Sequence, residues 1–208
     1  MRFSIFGVKR ERGPTAAAHT NDNSLATLRV SSGRLNPERS LGRRDRDFAF
    51  HRIYVPTAIL DVSVLWMRQS GTQGEERFLL WAGTVSSGEA HVATVVMPRA
   101  KSGQLHGEIP ADVVGRVLEA LDSRDLVPIA QIHSHPRQAF LSDIDRKRPL
   151  VSVPGFLSII VPDFAFVDAD AVDAWAVYEF RGHNQWRELA AAEKQDRIVL
   201  DQSLLRID

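Results

Sequence analysis

The sequence predicts an α/β domain built on a mixed β-sheet flanked by helices. Short runs rich in β-branched and aromatic residues alternate with two amphipathic helical stretches. The runs Phe78 to Ala82, Val127 to Ile132 and Gly155 to Val161 are apolar almost throughout, the pattern of strands buried on both faces. Ser86-Ser-Gly-Glu89 and Arg181-Gly-His-Asn184 are turn signals between such runs, which makes their flanking strands antiparallel neighbours.

Residues 1–48 carry ten basic against five acidic side chains and show no sustained periodicity. They are rich in Ser, Thr, Asn and Gly, a composition that buries little apolar surface. This segment is expected to be a basic, poorly ordered extension, either a solvated tail or a partner-docking arm. Within it, Arg2 to Val8 and Leu25 to Val30 are candidate short strands. Residues 49–208 are expected to form the folded domain. Arg52 to Val55 reads as a strand, and Pro56-Thr57 starts a helix, since Pro is tolerated in a first turn. Ile59, Leu60, Val62, Val64, Leu65 and Met67 give that helix its apolar side, and Gly71 ends it. Phe78 to Ala82 and Ala90 to Met97 form a strand pair. Pro110 to Arg124 is a second helix, with Val113, Val114, Val117, Leu118 and Leu121 on one side. Val127 to Ile132 is a buried strand interrupted by Pro128. Gly155 to Val161, Ala174 to Phe180 and Gln185 to Leu189 are further strands. Ala190 to Arg197 is weakly helical, and Ile198 to Leu200 adds a last strand. Trp66, Trp81, Trp175 and Trp186 read as core or half-buried residues.

The 26 Lys and Arg balance the 26 Asp and Glu, so global charge gives no argument for nucleic acid or an anionic membrane. There is no cysteine, which excludes disulfides and thiol catalysis and leaves His and carboxylates as metal ligands. No apolar run reaches the roughly 20 residues that span a bilayer, and the first ten residues are too short in their apolar part for a signal peptide. The expectation is a soluble, cytoplasmic protein.

The chemistry concentrates in Gln131-Ile-His-Ser-His-Pro-Arg-Gln-Ala-Phe-Leu-Ser-Asp-Ile-Asp145. Residues i and i+2 of a strand share a face, so His133 and His135 project together. Ser142 and Asp145 fit the first turn of a following helix, where i and i+3 share a face. Two imidazoles and a carboxylate suit a catalytic zinc site, which keeps three protein ligands and one open position. Ligand type alone does not separate zinc from other divalent ions. His19, His51, His91, His106 and His183 stand singly and carry no such expectation.

His-Ser-His-Pro followed by Ser-x-x-Asp resembles the JAMM motif of the JAB/MPN metalloprotease family, which includes zinc-dependent deubiquitinases and their prokaryotic relatives. The family pattern also has an upstream Glu. Glu76, with Leu80 four residues later and Gly83 seven later, matches it better than Glu75, which reads as a solvated turn residue. The resemblance covers roughly residues 50–190 and implies a cytidine-deaminase-like JAB/MPN fold. It implies one Zn²⁺ per chain on His133, His135 and Asp145. Glu76 would carry the proton between water and the leaving amine, and Ser142 would donate to the developing oxyanion. Five residues separate Pro136 from Ser142, one fewer than the usual family spacing. Asp145 is preferred to Asp143 because only Asp145 keeps the i, i+3 relation to Ser142.

The implied activity is that of a peptidase or isopeptidase. It would cut after the C-terminal Gly of a bacterial ubiquitin-like protein, in deconjugation or precursor processing, with antiphage defence as a setting. The implied partners are that ubiquitin-like protein or its conjugates and the cognate activating and conjugating enzymes; no membrane is expected, and nucleic acid enters only as a rival. Three rivals stand beside this reading: a catalytically silent MPN scaffold, a small-substrate zinc amidase, and a nucleic-acid role through the basic N-terminal arm. Retention of the whole ligand set argues against the scaffold.

Overall fold

The computed structural model describes residues 25–29, 50–98 and 109–202. The expected strand at 2–8 and most of the expected 1–48 extension lie outside these residues. The elements in chain order are β1 Leu25–Arg29, β2 Arg52–Pro56, α1 Thr57–Gly71, β3 Phe78–Ser86, β4 Glu89–Pro98, α2 Ala111–Asp122 and β5 Val127–Ser134. They continue with α3 Asp143–Lys147, β6 Leu157–Val161, β7 Ala176–Gly182, β8 Gln185–Glu188, α4 Ala191–Arg197 and β9 Ile198–Asp201. The strands form one sheet in the order β8-β7-β6-β5-β3-β4-β2-β9. Strand β4 is long enough to serve two neighbours on one edge. Its residues 89–91 pair with β2 in parallel, and 94–98 pair with β1 antiparallel. The sheet thus draws one strand from the N-terminal region. Among the described residues no helix is long and apolar enough to cross a membrane.

Alternate residues of a central strand reach opposite faces, and β3 shows what each face packs against. Leu79 and Trp81 join the apolar cluster of Ile59, Leu60 and Met67 from α1. Leu80 and Ala82 join Val117 and Leu121 from α2. Helix α1 buries Ile59, Leu60, Ser63, Val64 and Met67 at helical spacing. Leu65, counted above with its apolar side, points to solvent at 61 % exposure. Ser63 is tolerated inside because it donates to the Ile59 carbonyl at 2.7 Å and accepts from the Trp81 indole at 2.9 Å.

Strands β5 and β6 are buried along their whole length, as continuous apolar runs require. Pro128 does not interrupt β5. Trp81 pairs with Ala130 and Ala82 with Pro128, so the ladder to β3 skips Ile129 in a bulge. Pro128 also precedes the first β6 pairing, Ala130 with Leu157. A residue lacking an N–H is accommodated at such an irregularity. The expected strand at 174–180 begins only at Ala176, because Val172–Ala174 form a 3-10 turn.

Candidate metal centre

Strand β5 ends between β3 and β6, and both neighbours fix its last residues. His133 pairs with Phe78 of β3, and Ser134 pairs with Val161 of β6. Beyond the strand, the His135 N–H donates to the Val161 carbonyl at 2.9 Å, and its own carbonyl accepts from Phe164 N–H at 2.7 Å. The backbone therefore stays extended through His135, and the i, i+2 imidazoles emerge on one face. Phe78 stacks on the His133 ring at 4.2 Å, and Phe140 meets the His135 ring edge-on at 5.0 Å.

The third group arrives from α3. Ser142 is its N-cap, and Asp145 is the third helical residue. Asp145 N–H donates to Ser142 Oγ at 3.2 Å, while Asp145 Oδ2 accepts from Ser142 N–H at 2.9 Å and Ser142 O–H at 2.6 Å. This reciprocal capping box fixes the carboxylate's direction. Asp145 Oδ1 lies 3.5 Å from His133 Nε2, Oδ2 lies 3.5 Å from His135 Nε2, and the two Nε2 atoms are 3.2 Å apart. His133, His135 and Asp145 are all buried, and their donor atoms fall within 4.8 Å of one another. Asp143, the other acid of this turn, is exposed.

This donor set fits a divalent cation that accepts nitrogen and oxygen ligands. Two imidazole nitrogens and a carboxylate are turned toward one another in a buried place, where a shared cation satisfies all three. Burial pushes the Asp145 carboxyl up, but its contacts with His133, His135 and Ser142 outweigh that cost and hold it well below the usual carboxylate range. These contacts favour the ionised carboxylate over the acid.

Glu76 precedes β3 by two residues and is half-buried. Continuing the antiparallel Phe78–His133 register by two places sets Glu76 opposite His135. The segment is held there by Arg77, whose backbone N–H donates to Ser134 Oγ at 3.3 Å and whose carbonyl accepts from Ser134 N–H at 3.3 Å. Glu75, the alternative, falls on the opposite parity, and its backbone N–H donates to the Ser70 carbonyl at 3.1 Å. Sequence reasoning missed the ring walls Phe78 and Phe140 and the backbone braces Val161 and Phe164. Only Phe78 had a local signal, its position two residues after Glu76.

No protein-family model matches the chain. It is 32 % identical over 130 residues to the probable metalloprotease y4jG of Sinorhizobium fredii, an overlap of 61 % of this chain and 80 % of that relative. It is 23 % identical over 147 residues to AMSH-like ubiquitin thioesterase 3 of Arabidopsis thaliana, covering 69 % of this chain and 29 % of that one. The chain thus spans under a third of the plant protein. Among solved structures, a protein from Desulfitobacterium hafniense shares the fold at a TM-score of 0.51 and 16 % identity, over 73 % of this chain and 94 % of that one.

Proposed function

This chain belongs to the JAMM/MPN metalloprotease family, and on that premise we propose that it is a zinc-dependent peptidase or isopeptidase that cuts after the C-terminal Gly of a bacterial ubiquitin-like protein. Its mixed sheet with flanking helices is the JAB/MPN arrangement, and its class of chemistry is JAMM-type hydrolysis. The observation that carries the reading is the convergence of His133, His135 and Asp145, with donor atoms within 4.8 Å of one another. The ubiquitin-like substrate extends to this chain the ubiquitin thioesterase activity for which the plant relative is named. Deconjugation and precursor processing both fit, with antiphage conjugation systems as the setting. A cytoplasmic setting is part of the same proposal.

His133 Nε2, His135 Nε2 and the Asp145 carboxylate would hold the ion. Bound there, it acidifies water and polarises a carbonyl. Glu76, opposite His135, takes the proton of the attacking water on its carboxylate and returns it to the leaving amine. Phe78 and Phe140 hold the imidazoles in place and keep bulk water off them. Ser142 donates to the substrate oxyanion once its hydroxyl turns from Asp145 Oδ2, where its proton lies now.

The test is cleavage of a ubiquitin-like protein joined through its C-terminal Gly to a reporter, the one encoded beside this gene being the first choice. Wild type should cleave it, and Glu76→Ala should lose cleavage while still binding zinc. Zinc-loaded wild type that leaves the fusion intact overturns the substrate assignment. Wild type that takes up no zinc overturns the site assignment.

A further inference from the structure

Helix α3 has only five residues, too few to hold Asp145 in place unaided. What fixes it against the sheet is the β7–β8 hairpin. Leu141, just before the cap, is buried in a cluster with Ile160 of β6 and Ala176 and Tyr178 of β7, with Trp186 packed against it. The Arg146 guanidinium lies over the Tyr178 ring at 5.7 Å, and the Trp186 indole N–H donates to the Arg146 carbonyl at 3.3 Å. Trp186 is itself seated edge-on against Phe180 at 5.0 Å. Residues on both sides of Asp145 are thus tied to one hairpin that is more than thirty residues away in sequence. The two histidines, by contrast, sit at the end of β5, which β6 separates from that hairpin.

We propose that Trp186 and Tyr178 are positioning residues for the metal centre: through Arg146 and Leu141 they set where the Asp145 carboxylate stands relative to His133 and His135. The inference rests on the metal-site reading above and adds the device that assembles the site from two separately anchored segments. Neither residue belongs to the donor group of His133, His135 and Asp145. Their effect is on the affinity and symmetry of the ligand set, as groups that orient metal ligands commonly show.

The experiment uses the full chain and Co²⁺ as the probe. The visible spectrum reports the coordination geometry, and competition with a chelator gives the dissociation constant. Trp186→Phe keeps an aromatic ring against Phe180 and removes the one N–H. It should weaken Co²⁺ binding by about 10-fold and alter the visible bands. Trp175→Phe is the structural control, because it removes an indole N–H bond of similar length, to the Ala169 carbonyl at 3.2 Å, within the core that packs against α1 and not the cluster under α3. It should leave the affinity and the bands as in wild type. Tyr178→Leu, which takes the ring from under the Arg146 guanidinium, should move both readouts in the same direction as Trp186→Phe and tests the inference if that variant fails to fold. A folded Trp186→Phe or Tyr178→Leu with wild-type affinity and spectrum overturns the inference alone. Wild type that binds no Co²⁺ overturns the metal-site reading and this inference with it.

Discussion

The Ser142 hydroxyl donates to Asp145 Oδ2 and accepts from the Asp145 backbone, so its single proton is committed to the acid beside it. Capping and the proposed oxyanion stabilisation therefore draw on the same group, and on that proposal Ser142→Ala should remove both. Loss of the cap should cost about 1 kcal/mol of stability, measurable as a lower urea midpoint. Loss of an oxyanion donor should lower turnover by roughly 10²–10³. Turnover that returns to wild type when metal is raised to saturation assigns Ser142 to capping alone. The convergence of His133, His135 and Asp145 was legible in the sequence because its geometry is local: i, i+2 on a strand and i, i+3 on a helix turn. The competition for the Ser142 proton was not, since it depends on the cap's final side-chain directions. Nor were Trp186 and Tyr178, whose contacts with α3 exist only once β7 and β8 have paired.

At the scale of elements, the sequence pattern Glu76, Leu80, Gly83 acquires a physical reason at its last position. Strand β3 shifts register against β4 between Ala82 and Gly83, and a Cβ at Gly83 would collide with the His91 carbonyl. Gly83→Ala must push the β3–β4 ladder apart, and should cost roughly 1–3 kcal/mol. A lowered midpoint with an unchanged denaturant slope checks this; an unchanged midpoint shows that the ladder yields freely. Most strands and helices from Arg52 onward were legible, since period and turn chemistry mark them locally. The left-handed run Asp163, Phe164, Ala165, with φ of 50°, 51° and 63°, was not. No glycine announces it. The fold stabilises it instead, through Phe164 N–H on the His135 carbonyl and Arg68 on the Ala165 carbonyl.

For the whole molecule, the centre joins β5 to α3, so occupancy should stabilise the fold by linkage. Free zinc at 100 times its dissociation constant should add about 2.7 kcal/mol, or roughly 5–11 °C in Tm at this chain length. Asp145→Ala should show no such gain; an equal zinc-induced shift in that variant means that the ion binds elsewhere. The three ligands lie close in sequence, so residual binding by the unfolded chain trims the effect. Sheet order was the least legible level. Composition marks β6 and β9 as strands, but that β6 lies parallel to β5, and β9 parallel to β2, is decided by contacts between distant segments.

The shared edge of β4 bears on colloidal behaviour. Residues 94–98 read Thr-Val-Val-Met-Pro, and β1 occupies their outer hydrogen-bonding row. A chain begun at residue 50 keeps β2 on 89–91 but leaves that row open. It offers a short, uncharged template to any other extended peptide, including another copy of itself. Such a shortened protein should self-associate on standing, in a concentration-dependent way visible by light scattering, and Val95→Lys should not be the remedy because Val95 is buried in the core. Leu25–Arg29 would then matter for keeping the enzyme dispersed.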